Sequence, residues 1–189
     1  MSERENTGNH PLLIVFVAMI VVVGIIGAYV WATYTGPVHT GQVTSVTAYP
    51  IHRELSTGSG LGGLNGGPNV YDEMIVIADV QIKSTTKLPL FLQDMVADVT
   101  LASGEVQESR AASGEDASKV FVAYPELAAH KGTPVPRGIT MTPGQVVDGQ
   151  LIFHFPITKQ DWDSRKAFDV TVRFINQNSL VLHWSGNQS

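Results

Sequence analysis

Twenty-one consecutive residues without a charge, Leu12–Ala32 ("LLIVFVAMIVVVGIIGAYVWA"), restrict this chain more than any other feature. A helix of that length spans about 32 Å, matching a bilayer hydrocarbon core of about 30 Å. The β-branched run Ile20–Val23 is tolerable in such a helix, because lipid leaves the backbone no partner but itself. Pro11 precedes the run, where its missing N–H costs a helix little. Tyr29, Trp31 and Tyr34 gather at the far end, as aromatics do at a headgroup interface.

The rival reading is a cleavable signal peptide ending at Val30-Trp31-Ala32. Against it, the apolar stretch exceeds the roughly 7–15 residues of a signal core, and "MSERENTGNH" sets one Arg against two Glu. The expectation is therefore an uncleaved anchor held in the lipid bilayer by residues 12–32. Arg4 precedes the run, and no Lys or Arg follows until Arg53. The positive-inside rule then places the N-terminus in the cytoplasm and the C-terminal part outside, periplasmic or extracellular. Gly24, Ala28 and Ala32 lie four apart on one helix face, a spacing that permits weak self-association; small residues falling there by chance is the plainer alternative. The expected division is a cytoplasmic tail (1–11), a transmembrane helix (12–32), a stalk (33–41) and an extracytoplasmic domain (42–189).

That domain is long enough for one sandwich-sized core. Its dominant hydrophobic period is two. In "FDVTVRF", Phe168, Val170, Val172 and Phe174 share a face opposite Asp169, Thr171 and Arg173. In "QLIFHF", Leu151, Phe153 and Phe155 oppose Gln150, Ile152 and His154; in "LVLHW", Leu180, Leu182 and Trp184 oppose Val181 and His183. Such segments are half-buried strands. "MIVIADVQIK" begins as a continuous apolar run and reads as a central strand. "GQVTSVTAYPIHRE" opens the domain, with Pro50 pointing to an edge or a break. "PLFLQDM" and "VADVTLA" read as a strand pair closed by a Ser103-Gly104 turn, and Val120–Ala123 and Ile139–Met141 as short strands. Helical turns are expected at "TKQDWDSRKA", where Thr158 and Asp161 make a capping-box start, and at "YPELAAHKG". The sum is an all-β antiparallel sandwich of about 7–9 strands.

A long strand running into "STTKLPLFL" and, later, "PGQVVDGQLIFHFP" resemble a widespread group of bacterial immunoglobulin-like domains. Members sit outside the membrane behind an N-terminal anchor, mostly without an assigned role. The likeness covers roughly residues 70–184. Ser84-Thr85-Thr86 stands where the group usually has Asn, and the cysteine through which members are often lipid-anchored is absent. The resemblance implies an immunoglobulin-like fold and an extracytoplasmic location, and it transfers no catalytic residue.

Chemistry is thinly marked. With no cysteine there are no disulfides, thiolate metal sites or cysteine nucleophiles. A formal net charge of −5 argues against a nucleic-acid partner. "GSGLGG" (Gly58–Gly63) fits G-x-G-x-x-G, but a strand rather than a helix follows, so the Gly-rich segment 56–69 reads as a loop without a cofactor. His154 and His183 are the only weak metal candidates; if their strands are neighbours the imidazoles converge, and otherwise they are exposed sheet residues. His39 and His52 form no recognisable motif, and Met74, Met95 and Met141 read as core filler. Asp161 and Asp163 flank Trp162 without the ladder of a calcium loop, so they read as solvated beside a capping indole. No catalytic residue is assigned. The expected role is binding or scaffolding in an envelope assembly with an unidentified protein partner. The alternatives are a metal-handling or assembly-factor domain using the histidines, and an envelope enzyme without a recognisable motif.

Overall fold

The computed structural model of the chain describes residues 10–33, 38–55 and 69–186. It divides into two compact units, residues 1–36 and 37–189. The first contains one helix, α1 (His10–Thr33), with a 19-residue apolar stretch, Leu13–Trp31, none of which is buried. It is apolar on every side, and Gly24, Ala28 and Ala32 all fall within it.

Among the described residues, the second unit has eight strands: β1 (His39–Leu55), β2 (Asn69–Ser84), β3 (Leu90–Thr100), β4 (Val106–Arg110), β5 (Thr140–Met141), β6 (Val146–Phe155), β7 (Ala167–Phe174) and β8 (Leu180–His183). One sheet runs β1-β2-β6; the other runs β4-β3-β7-β8, with β5 pairing to β3. Every strand pair is antiparallel. This is the expected antiparallel β-sandwich. Pro50 lies in the edge strand β1, and "MIVIADVQIK" lies in the central strand β2.

The period-two pattern sets the register. Phe153, Phe155, Phe168, Val170, Val172, Phe174 and Leu182 face the space between the sheets and are buried. His154 and His183 are exposed, and Asp169, Thr171 and Arg173 half-buried, on the outer faces. Phe168 meets Phe153, Phe155 and Trp162 edge-on, with ring centroids 6.3, 6.5 and 5.5 Å away. Such ring pairs contribute roughly 0.5–1.5 kcal/mol beyond their buried area. Met74, Met95 and Met141 fill the same core.

Five expectations need correction. Residues 90–100 form one strand, not two: an irregularity between Leu92 and Asp94 inserts Gln93, letting both Leu92 and Met95 face inward without ending the strand. The turn at Gly104 (φ 95°) instead joins β3 to β4. Val120–Ala123 is helical, within α2 (Gly114–Ala123). Ser113 caps α2 by accepting from the Asp116 N–H, and Ala117, Val120, Phe121 and Tyr124 follow the helical spacing that a strand reading overlooks. The first strand starts at His39, inside the expected stalk. Ile152 and Gln150 are buried rather than solvent-facing, because α2 and the 3₁₀ segment Pro125–His130 cover that side of the first sheet. Asp161 is not a solvated partner of Asp163: it closes a capping box with Thr158 at the start of α3 (Lys159–Asp163). Asp163 is exposed and pairs with Lys159, while Trp162 is buried as a cap, under the Arg165 guanidinium.

The helical cover explains why β2 begins without alternation. Met74, Val76 and Ala78 face the inter-sheet core, while Ile75 and Ile77 face a second cluster with Ile51, Ile152, Ala117 and Leu127. This sheet is therefore apolar on both sides. The segment 56–68, with the G-x-G-x-x-G match, lies outside the described residues; Asn69 opens β2.

Candidate functional site

The first sheet carries a cleft of about 230 Å³ beside the helical cover. Its floor is apolar: Ile51 of β1, Ile75 of β2 and Ile152 of β6, three adjacent strands of one sheet. Val120 and Tyr124 wall it on the helical side. Glu73, His154, Arg53 and Arg110 supply the polar lining.

Two pairs organise the rim. His154 Nε2 lies 3.0 Å from Glu73 Oε2, across the β2–β6 pair. Arg53 donates from Nη2 to the Tyr124 hydroxyl and lies over the tyrosine ring, 5.5 Å from its centroid. Arg110 reaches the cleft because the end of β4 leans on β6. The Ala112 N–H donates to the Ile152 carbonyl (2.8 Å), and the His154 N–H donates to Ser109 Oγ (3.1 Å).

A third contact pins the cover. The Tyr49 hydroxyl donates to Glu126 Oε1 at 2.5 Å. That bond holds the Glu126 carboxyl below its ordinary range and, with desolvation, pushes the Tyr49 phenol up. Beneath the cover, the buried Gln150 donates to Asp79 Oδ1 (3.2 Å) and the His130 carbonyl (2.7 Å), and accepts from the Gly132 N–H (2.9 Å). Ser45 donates to the other Asp79 oxygen at 2.5 Å. Residues 133–135 run alongside β6 here, so close that a side chain at Gly149 would strike Val135 and the Thr133 carbonyl.

The structure separates the two histidine candidates. His154 is on the outer face of the sheet β1-β2-β6, and His183 on the outer face of the other sheet. The expected alternative of one site shared by both fails on topology. Each has its own carboxylate instead: Glu73 for His154, and Asp169 for His183, 2.7 Å away. His52 repeats the arrangement with Asp72 at 2.7 Å. His39 opens β1, stacks on Phe174 (centroids 4.6 Å apart) and contacts the Asn178 carbonyl through Nε2 at 2.7 Å. Among the described residues, no three His, Cys, Asp or Glu side chains gather as a metal-holding group.

Chemically, the cleft can hold a small apolar group between a guanidinium and an imidazole–carboxylate pair. Its lining has no hydroxyl or thiol nucleophile apart from the Tyr124 phenol, which accepts from Arg53. Sequence reading missed Arg53, Tyr124, Tyr49 and Glu126, which are brought together only by the fold. The one available signal was the 3.6-residue spacing that ends on Tyr124.

Strand order and register define the domain as an antiparallel β-sandwich. No family model and no curated protein matches the chain. Among solved structures it is similar to an uncharacterized beta-sandwich protein from Clostridium difficile 630, at 10% identity and a TM-score of 0.37, over 80% of this chain and 89% of that one. It is also similar to a conserved hypothetical protein from Bacillus anthracis (14% identity, TM-score 0.31, 78% and 99% covered). A structural-genomics target is a third such likeness (10% identity, TM-score 0.35, 74% and 81% covered).

Proposed function

We propose that the chain is a single-pass, membrane-anchored module whose immunoglobulin-like domain stands outside the membrane and binds or scaffolds an envelope protein, without catalysis. The observation that carries this reading is α1: nineteen apolar residues with no buried side. An apolar surface of that kind needs lipid or a partner to cover it. Among the described residues, both hydrophobic clusters of the second unit are made of its own side chains. Arg4 before the span and the lack of Lys or Arg until Arg53 support an outside domain. Gly24, Ala28 and Ala32 support weak pairing of two such helices.

Strand order supports the immunoglobulin-like assignment. Lettered in chain order as A, B, C, C′, E, F and G, strands β1, β2, β3, β4, β6, β7 and β8 make the sheets A-B-E and C′-C-F-G. This order is compatible with an immunoglobulin arrangement lacking its D strand, which supports the reading. The helical cover occupies the stretch between C′ and E. The cleft beside it, apolar-floored and rimmed by Arg53, Glu73 and His154, is the natural contact point for a partner side chain.

Fractionation of native membranes tests the reading. The full chain is expected in the pellet after alkaline carbonate washing, with residues 1–36 intact, and protease added outside is expected to remove the domain. A mature chain beginning at Thr33 would overturn the anchor. A domain protected from outside protease would overturn the orientation.

A further inference from the structure

Three of the chain's six arginines converge on one hollow of the second sheet, and we propose that Arg110, Arg137 and Arg173 form a binding site for a phosphate-type oxyanion. The hollow measures about 310 Å³, is open to solvent, and is lined only by those arginines, Gln93 and Asp94. The arginines come from three places: the end of β4, the turn before β5, and the last part of β7.

Asp94 organises the site. Its side chain is only 14% exposed; Arg110 Nε lies 2.9 Å from one of its oxygens and Arg137 Nε 3.8 Å from the other. Both approaches to Asp94 are through Nε rather than through the terminal amino groups. Those amino groups are the part of a guanidinium that grips oxyanions in pairs. Arg173 is held more loosely: its Nη2 is 3.6 Å from Glu108, whose side chain is 60% exposed. Asp116 of α2 also feels the charge of Arg137, but it is held first by Ser113 and Lys119.

The strand irregularity at Leu92–Asp94 supplies an independent indication. It turns Gln93 and Asp94 outward together, placing an amide beside the carboxylate on the hollow's wall. Irregularities of this kind recur where a sheet re-aims side chains for binding. Asp94 already meets two arginines as a planar carboxylate does. Three guanidinium groups arriving from separate elements suit the additional oxygens of a tetrahedral anion. The site stands independently of membrane anchoring, and the shared chemistry is a phosphate group, whether on a soluble ester or on a lipid.

Calorimetry on the full-length chain in nonionic detergent at low ionic strength tests the proposal. The probe is inorganic phosphate, titrated into the millimolar range. Saturable binding is expected that weakens with added salt, falls roughly tenfold or more in Arg137→Gln/Arg173→Gln, and is unchanged in Lys159→Gln, an exposed cation outside the hollow. A tenfold loss is the scale of one charge-assisted hydrogen bond. Should the double variant fail to fold, Arg173→Gln alone decides, since its ion-pair partner among the described residues is the exposed Glu108. Glycerol phosphate and a short-chain phosphatidic acid separate the two sources: equal affinity marks a soluble ester, and tighter phosphatidic acid binding marks a lipid. Absence of saturable heat, or equal binding by wild type and the Arg137/Arg173 variants, would overturn the site.

Discussion

Three carboxylates stand in register across the second sheet: Glu108 of β4 opposite Asp98 of β3, and Asp98 opposite Asp169 of β7. Desolvation first, then these two neighbours, raise the Asp98 pKa above the ordinary aspartate range, with Arg173 opposing them. A carboxyl with a higher pKa folded than unfolded holds its proton longer in the folded chain. Its contribution to stability is therefore fullest at low pH and falls as pH rises through the range just above ~3.9. Asp98→Asn is accordingly expected to stabilise the domain at neutral pH, by no more than about 0.5 kcal/mol after solvent screening. The gain should vanish in urea titrations below that range. Glu126 has the opposite sign: its lowered pKa gives stability that is present above the carboxylate range and lost as pH falls through it. In the core, Phe153→Ala and Phe174→Ala should each cost about 3–5 kcal/mol, whereas His154→Ala and Thr171→Ala should cost about 0.5 kcal/mol or less. Equal damage from the four in chemical denaturation would mean the faces are reversed. The faces of β7 were legible because alternation is unbroken from Ala167 to Phe174; the Glu108–Asp98–Asp169 row was not, because it depends on which strands become neighbours.

The helical cover is the element that departs most from a plain sandwich. It lies over the outer face of the first sheet, a face that an antiparallel sheet can leave to water. Leu127, 2% exposed, is its anchor in the second cluster. Leu127→Ala is expected to cost about 2–5 kcal/mol. Tyr49→Phe, which removes the bond to Glu126 and keeps the ring, should cost far less. Hydrogen exchange would distinguish the two, with Tyr49→Phe speeding exchange in residues 114–130 and leaving β7 protected. Parts of this element could be read beforehand: the turn at Pro125–His130 follows from its composition, and the spacing Ala117, Val120, Phe121, Tyr124 is helical. What obscured α2 was its brevity and the β-branched Val120 and Val122, which score as strand in a short window. The second apolar face of β2 was visible as "MIVIA", but nothing local tells whether a helix, a sheet or a partner covers such a face.

At the scale of the whole molecule, a chain beginning at residue 37 is expected to keep its sheet structure and denaturation midpoint, since the described residues of both clusters all lie within 37–189. Circular dichroism and urea titration check this, and a collapsed midpoint would show that the helix is needed for folding. The apolar span and the sandwich class were legible because each rests on a repeating local pattern. The cleft and the arginine hollow were not, because they join residues from β1, β2, β3, β4, β6, β7, α2 and a turn, whose meeting depends on topology. The strand order also carries a consequence for synthesis. β1 and β2 are successive and can pair as soon as Ser84 has been made, yet β2's other neighbour is β6, and Met74 waits for Phe155. During that interval the newborn hairpin shows two greasy sides and a bare edge, the combination that invites aggregation. Elongation from β3 through α2 is thus the vulnerable period of this chain's life, and a holding chaperone would do most good there.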